Sequence, residues 1–261
     1  MTFTTPLPML EPGDWLTTGS LRLDATLSLP DLDSSALLHD ARTLLTHVVA
    51  KRQLHYNQNG RLDMAIVTEL SPALRWVESS LDVGLGLAPG EGAYRGLSVA
   101  RTLLTGAGVI LARAGWLQPR KRARTLMQDD RAGELFATLF IELFRDTGPH
   151  FLDDFDDEER GLQQAMPSVL WLLAQQNDDW QSAEQLASST WPLALRAATG
   201  PAVAYGERLD SKPLSYALRV LDPLVAFGLM ERRNSGGEAT ESRREYRTTT
   251  LFNRFLRFET A

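Results

Sequence analysis

The stretch "LVAFGLMERRNSGGEATESRREYRTTTLF", Leu224–Phe252, decides the fold, because it contains a helix end, a hairpin and a helix start in succession. A helix from Leu214 is predicted to end at Gly228, since the left-handed conformation that closes a helix penalises residues with a Cβ. The tip residues 234–237, Asn-Ser-Gly-Gly, tolerate a positive φ and therefore predict a turn between two strands. The apolar "TLFNRFLRF" that follows predicts a further helix.

A similar order of features occurs about 113 residues earlier in the chain. A helix from Ser98 to Ala114 is predicted to end at Gly115, and Trp116 and Leu117 follow it. The basic segment "QPRKRART" is then interpreted as a turn, and "ELFATLFIELF" as an apolar helix. Each half of the chain is therefore predicted to contain a helix, a glycine stop, a strand, a basic turn, a strand and a helix.

The remaining patterns set the expected domain limits. Apolar residues alternate from Leu21 to Leu29, which predicts a half-buried strand, and a helix is expected from Asp33 or Ser34 to about Ala50. Near the middle of the chain, Thr147-Gly148-Pro149 precedes the acidic run "DDFDDEER", which is typical of a solvent-exposed boundary. We expect an N-terminal arm with one strand over 1–35 and two domains over 36–147 and 148–261.

The pattern from Leu221 to Phe252 resembles the C-terminal part of many bacterial winged-helix modules, in which a helix-turn-helix precedes a two-stranded wing. Upstream, Ser182 and Gln185 form a possible capping box at the start of the module's second helix. The resemblance implies an α+β fold, mainly α with short β-hairpins, comprising two winged-helix-like domains in tandem. Pro223 lies within the recognition helix that the resemblance implies and predicts a kink there.

Composition excludes several kinds of chemistry. The chain has no cysteine, so disulfides, thiolate catalysis and cysteine-based zinc sites are excluded. No apolar run reaches the roughly 20 residues of a membrane span, and the N-terminus shows no secretory signal, so we expect a cytoplasmic protein without a membrane partner. The net charge of -6 argues against nonspecific coating of nucleic acid, although a local basic patch remains compatible with it.

No motif predicts a catalytic, metal or cofactor site. The glycines from Gly84 to Gly96 lack the spacing of a dinucleotide-binding or phosphate-binding loop and are interpreted as a flexible loop. The acidic run lacks calcium-loop spacing, and no two histidines have the helical spacing of a zinc site. The four histidines are His39, His47, His55 and His150. We therefore expect a noncatalytic protein without a cofactor, and keep an unrecognised enzyme as a residual possibility.

Two basic clusters are the candidate nucleic-acid-binding sites. On winged helices such positions would contact phosphates, fixing register without reading bases. The alternative is that Glu231, Glu238, Glu241 and Glu245 neutralise the second cluster. The helix before it contributes little charge, since Ser215, Arg219 and Asp222 share its predicted outward face. The candidate residues are Arg120, Lys121, Arg122, Arg124, Arg219, Arg232, Arg233, Arg243, Arg244 and Arg247.

Two functions follow as expectations. The first is a noncatalytic, bacterial DNA-binding or regulatory protein whose basic wing hairpins contact duplex DNA. The alternative is a protein-protein interaction scaffold built on winged-helix domains within a larger bacterial complex, which docks partner proteins through its acidic surface and its aromatic patches. Trp171, Trp180 and Trp191 are interpreted first as core or interface residues. The sequence does not determine the oligomeric state, although paired winged helices commonly work as dimers, so a homodimer is one possible state.

Overall fold

The computed structural model describes residues 10–57, 60–76, 94–148, 152, 159–176, 179–199, 212–234 and 244–259. Most of the segment Gly84–Gly96 that was predicted as a loop, His150, most of the acidic run and the predicted hairpin tip at 235–237 lie outside the described residues. The structure is α+β: helices predominate, and the strands form three small antiparallel sheets. Within the described part of the chain, no helix has both the length and the apolar character needed to cross a lipid bilayer.

The chain divides into two compact units that are not simply consecutive. Ala25–Glu142 forms one of them, which we call the inserted unit. The described residues up to Asp24 and from Leu143 onward form the other, which we call the terminal unit. The terminal unit is therefore built from both ends of the chain.

The core of the inserted unit is formed by the buried faces of its helices and by one three-stranded sheet. Ser35 caps its first helix, where the side chain accepts a hydrogen bond from the Leu38 amide at 3.1 Å, close to the predicted helix start. In chain order its elements are α1 (Ala36–Lys51), β2 (Leu54–His55), α2 (Met64–Leu70), α3 (Arg95–Gly106), β3 (Ile110–Arg113), β4 (Trp116–Pro119), α4 (Lys121–Leu126) and α5 (Ala132–Ile141).

The terminal unit begins with β1 (Leu21–Leu23), which is shorter than the strand predicted to reach Leu29. Its other elements are α6 (Glu159–Ala174), β5 (Gln181–Ser182), α7 (Ala183–Thr199), α8 (Lys212–Tyr216), α9 (Asp222–Ala226), β6 (Met230–Asn234), β7 (Arg244–Thr248), α10 (Thr250–Phe255) and β8 (Leu256–Phe258). Strand β1 pairs antiparallel with β8, with Leu21 opposite Phe258.

The two units share one order of elements and one order of strands. In each, a helix, a short strand and two further helical segments precede a β-hairpin and a short helix. The sheet orders are β2-β4-β3 and β5-β7-β6, so the short strand always pairs with the second strand of the hairpin. The Val109 carbonyl accepts from the Arg120 amide at 3.1 Å, and the Leu229 carbonyl accepts from the Thr249 amide at 3.0 Å.

The helix end of the inserted unit differs from the prediction. Helix α3 ends at Gly106, and the chain reverses at Gly108, whose φ is +65°, so the predicted continuation of this helix to Ala114 is wrong. Gly115, with φ +81°, lies at the hairpin turn instead. Gly108 is thus the counterpart of Gly228, whose φ is +74°. The cause is local, since the apolar, β-branched Val109 and Ile110 favour an extended conformation.

Because helix α3 ends earlier than predicted, the first basic cluster also differs in structure from the prediction. The basic segment predicted as a turn between strands begins in the last two residues of β4 instead, and most of it forms helix α4. In the terminal unit the prediction is confirmed, since Gly228 follows the helix and β6 and β7 form a hairpin. The capping box is confirmed as well: the Ser182 amide donates to Gln185 Oε1 at 2.8 Å, and the Gln185 amide donates to Ser182 Oγ at 3.2 Å.

Candidate nucleic-acid interface

The arginines of the β6–β7 hairpin alternate between two faces of the sheet. On the first face, Arg232 and Arg244 point toward Asp222, the first residue of α9, which is only 3% exposed. Arg232 donates to its Oδ1 at 3.0 Å and Arg244 donates to its Oδ2 at 3.3 Å. The Tyr246 hydroxyl also donates to Oδ1 at 3.0 Å. One buried carboxylate therefore holds the hairpin against the preceding helix.

The second face of this hairpin consists of cross-strand ion pairs. Arg233 donates to Glu245 at 2.7 Å, and Arg247 donates to Glu231 at 2.8 Å. Both guanidinium groups also lie 4.6 Å from the ring centroid of Trp180, within cation–π range. Every described arginine of the hairpin is therefore paired with a carboxylate, and Arg243 lies outside the described residues.

The role of Asp222 as an ion-pair partner was not predicted from the sequence, because its partners are distant in the chain. The nearest, Arg232, follows ten residues later, beyond any helical or strand repeat. Burial raises the pKa of the Tyr246 hydroxyl, and the adjacent Asp222 carboxylate raises it further, so the phenol stays neutral and donates.

Arg219 is not an outward-facing candidate. It is 2% exposed, within the π-helical turn Ala217–Leu221 that joins α8 to α9. The predicted outward face assumed a regular helix of 3.6 residues per turn, whereas a π turn advances the chain by more residues and rotates the face that follows. Both Arg219 and Asp222 consequently point into the protein, which corrects the assignment of Arg219 to a nucleic-acid surface.

The basic residues of the inserted unit have a different environment. Arg113 on β3, Arg120 before α4, and Lys121, Arg122 and Arg124 on α4 are all exposed; we call these five residues the inserted-unit cluster. Arg122 hydrogen-bonds the neutral Thr138 hydroxyl at 3.0 Å. Among the described residues, none of the five forms an ion pair with a carboxylate.

The sequence does contain a signal for the lack of carboxylate partners in the inserted-unit cluster, although the pattern of basic residues alone does not show it. Between Gly92 and Gln128 the chain contains no aspartate or glutamate. The same interval contains seven basic residues: Arg95, Arg101, Arg113, Arg120, Lys121, Arg122 and Arg124. In a chain of net charge -6, such an interval concentrates positive potential locally.

The outer face of the β2-β4-β3 sheet carries an exposed tryptophan. Trp116 is 37% exposed, whereas the next residue, Leu117, is fully buried on the opposite face. His55 lies opposite Trp116 in the sheet, with the ring centroids 5.0 Å apart and the planes at 71°. Asp63 Oδ2 lies 2.8 Å from His55 Nδ1 and orients the imidazole. Arg113 pairs with Trp116 from the other side, on β3.

Two threonine hydroxyls of α3 donate hydrogen bonds to carbonyl groups of the same helix. Thr102 donates to the Ser98 carbonyl at 3.0 Å, and Thr105 donates to the Arg101 carbonyl at 2.8 Å. Both threonines thus use their hydroxyls within the helix. The distinctive surface of the unit is the hairpin with the cluster that follows it.

The tryptophans of the terminal unit are inward or paired. Trp191 is 7% exposed and packs against Tyr216 with ring centroids 5.6 Å apart, while Trp171 and Trp180 are half-buried. Thr190 and Tyr216 share a buried hydrogen bond of 2.7 Å. In the part of the chain that the structure describes, no three His, Asp or Glu side chains converge as a metal site would require.

No protein-family model, no curated protein and no solved structure matches the chain at a significant level.

Proposed function

We propose that the protein is a noncatalytic nucleic-acid-binding protein built from two winged-helix-like units, and that the inserted unit makes the phosphate contacts. The observation that carries this proposal is the inserted-unit cluster, five exposed cations without a carboxylate partner among the described residues. Phosphate recognition requires such cations, because affinity comes largely from releasing the counterions condensed on the nucleic acid.

The common topology supports assigning both units to the winged-helix class. Each has a short strand that pairs with the second strand of a C-terminal hairpin, following three helical segments. In such a module the hairpin is the wing, and residues on and beside it reach phosphates. Arg113 lies on the hairpin of the inserted unit, and Arg120 and Lys121 follow directly after it.

The terminal unit favours a second role. Its hairpin arginines already have carboxylate partners, and a phosphate would have to displace Glu231, Glu245 or the buried Asp222. Displacing a buried carboxylate leaves an uncompensated charge, which is costly. A hairpin whose described arginines are neutralised is better suited to contact a protein, so the second candidate function is that of a scaffold in which the terminal unit binds a protein partner.

Fluorescence anisotropy with labelled duplex and single-stranded DNA over a series of salt concentrations tests the proposal. We expect binding at low salt that weakens steeply as salt rises. The double variant Lys121→Ala and Arg124→Ala should reduce the magnitude of the slope of log K against log salt by about 1.4 to 1.8, the contribution of two phosphate contacts.

The matched control is the double variant Arg233→Ala and Arg247→Ala, which removes the same charge from the ion-paired hairpin. It should leave the salt slope unchanged. Absence of binding at low salt, or equal loss of slope in both double variants, contradicts the assignment of phosphate contacts to the inserted unit.

A further inference from the structure

We propose that the outer face of the β2-β4-β3 sheet binds an unpaired nucleic-acid strand, with the indole of Trp116 stacking on a base. This inference rests on the proposed function, because the inserted-unit cluster supplies the phosphate contacts that hold the strand. It adds a ligand class, single-stranded rather than paired nucleic acid, and the residue that selects it.

The exposure of Trp116 is unusual within the molecule. Among the described residues, the large hydrophobic side chains that remain exposed are Leu16, Met64 and Trp116, and Trp116 is the aromatic one. A side chain of this size gains stability when it is buried, and tryptophan dominates the energetics of binding surfaces for that reason. Its 37% exposed surface is therefore available to a ligand.

The indole is also held in place. His55 packs against it at 71° on the neighbouring strand, and Asp63 fixes the imidazole by a 2.8 Å contact to Nδ1. Gly115 lies at the turn beside them, where an added Cβ would stand 3.7 Å from His55 Nε2. A side chain supported in this way loses little conformational entropy when a ligand stacks on it.

This face differs from the hairpin of the terminal unit in the residues at equivalent positions. Arg113 lies opposite Trp116 in the inserted unit, and Arg233 lies opposite Glu245 at the same place in the terminal unit. Where the terminal unit has a salt bridge, the inserted unit has a cation beside an aromatic ring. An arginine next to an exposed ring, with further cations following, is the combination that binds single strands.

Cations lie near Trp116 in two directions: one on the neighbouring strand, and others farther along its own strand. Arg113 is its cross-strand neighbour, roughly 5 Å away between Cβ atoms. Arg120 and Lys121 follow the end of β4, roughly 13 to 17 Å farther along the chain. A strand can therefore run along β4 with its phosphates near these cations and one base over the indole.

An unpaired strand fits this face better than a duplex. In a duplex each base is already stacked on its neighbours and its faces are inaccessible, so an exposed indole adds nothing to binding. An unpaired base offers a free face of any sequence, and stacking on tryptophan is correspondingly tolerant of sequence.

The test compares wild type, Trp116→Ala and Trp116→Phe in anisotropy titrations with labelled oligodeoxythymidylate and with a labelled duplex of random sequence. We expect Trp116→Ala to weaken single-strand binding about tenfold or more, with duplex binding and the salt slope unchanged. Trp116→Phe should retain most of the affinity, because its ring still stacks. Circular dichroism melting checks that both variants are folded, and a misfolded Trp116→Ala is replaced in the comparison by Trp116→Leu.

The outcomes separate this inference from the proposed function. If both nucleic acids bind with steep salt dependence and the tryptophan variants bind both as the wild type does, the stacking inference is overturned and phosphate binding stands. Equal weakening of single-strand and duplex binding also overturns it. If neither nucleic acid binds at low salt, the proposed function and the inference fail together.

Discussion

The hydroxyl of Tyr246 donates a hydrogen bond of 3.0 Å to the carboxylate of Asp222, and both groups are buried. The tyrosine comes from the middle strand of a three-stranded sheet and the aspartate from the first turn of α9. Because Arg232 and Arg244 share the same carboxylate, four side chains from helix and hairpin form one charged network. The terminal hairpin is thus fixed to its helix by electrostatics as well as by apolar packing.

Replacement of Asp222 should destabilise the terminal unit. Asp222→Asn removes the charge that two arginines and a phenol share, and we expect the free energy of unfolding to fall by about 2 to 3 kcal/mol. The arginines retain some access to water, which limits the loss. Urea denaturation followed by circular dichroism measures it, with Glu231→Gln as an exposed control that should cost under about 0.5 kcal/mol. Equal effects from the two variants would argue against the network.

Arg247 and Arg113 should respond to truncation in opposite ways. Arg247→Ala removes an ion pair and a contact with Trp180, so we expect a loss of about 1 kcal/mol in stability and no change in nucleic-acid affinity. Arg113→Ala removes an exposed side chain that has no hydrogen-bond or ion-pair partner among the described residues, so stability should stay the same while affinity falls. Denaturation and anisotropy on both variants check this crossed pattern, and a drop in affinity only for Arg247→Ala would reverse the assignment of roles.

His47 should make stability depend on pH. Its burial lowers its pKa below the usual 6.5, and the nearby Lys51 lowers it further, while Glu69 partly opposes both. The unfolded chain therefore binds the proton more readily, and this contribution to stability, present above about pH 6.5, is lost as pH falls toward the folded pKa. Between about pH 7.5 and about pH 5.5, the unfolding free energy of the wild type should fall more than that of His47→Gln. Parallel pH profiles in urea denaturation would exclude His47 as the cause.

Gly133 should not tolerate a methyl group. A Cβ there would stand 2.5 Å from the Ala25 carbonyl oxygen and 2.6 Å from that of Leu27, both of them backbone atoms of the same unit. We expect Gly133→Ala to lower stability by about 3 kcal/mol or more, because the backbone must move.

The control for that variant is Gly60→Ala, where no atom lies within 4 Å and only the φ of +70° is unfavourable. The cost there should be about 1 kcal/mol. Thermal denaturation of both variants measures the difference, and similar melting temperatures would refute the steric explanation.

Local signals in the sequence predicted the structure well wherever the interaction spans a few residues. The Ser182–Gln185 capping box and the glycine stop at Gly228 are both confirmed, because each depends on residues within one helical turn. The helix end near Gly108 was placed wrongly because three glycines occur within ten residues there, and apolar periodicity does not distinguish among them. Several glycines in the sequence could therefore end the helix, and the β-branched Val109 and Ile110 after Gly108 determine which of them does.

The candidate site was harder to predict because charge counts do not show pairing. The terminal hairpin has more arginines, yet its described members are paired with carboxylates up to 22 residues away. A regular helical wheel also misplaced Arg219, since the π turn before Pro223 changes which side chains face the core. Trp116 and His55 carried no sequence signal at all, because their proximity arises from pairing between β2 and β4.

The pairing of β1 with β8 bears on how the chain folds during synthesis. Leu21 and Phe258 are partners in one ladder, so this sheet cannot form until Phe258 has been translated. The inserted unit is continuous from Ala25 to Glu142 and has no such delay. We therefore expect a vectorial order on the ribosome, in which the inserted unit is native before strand β1 of the terminal unit can pair with β8.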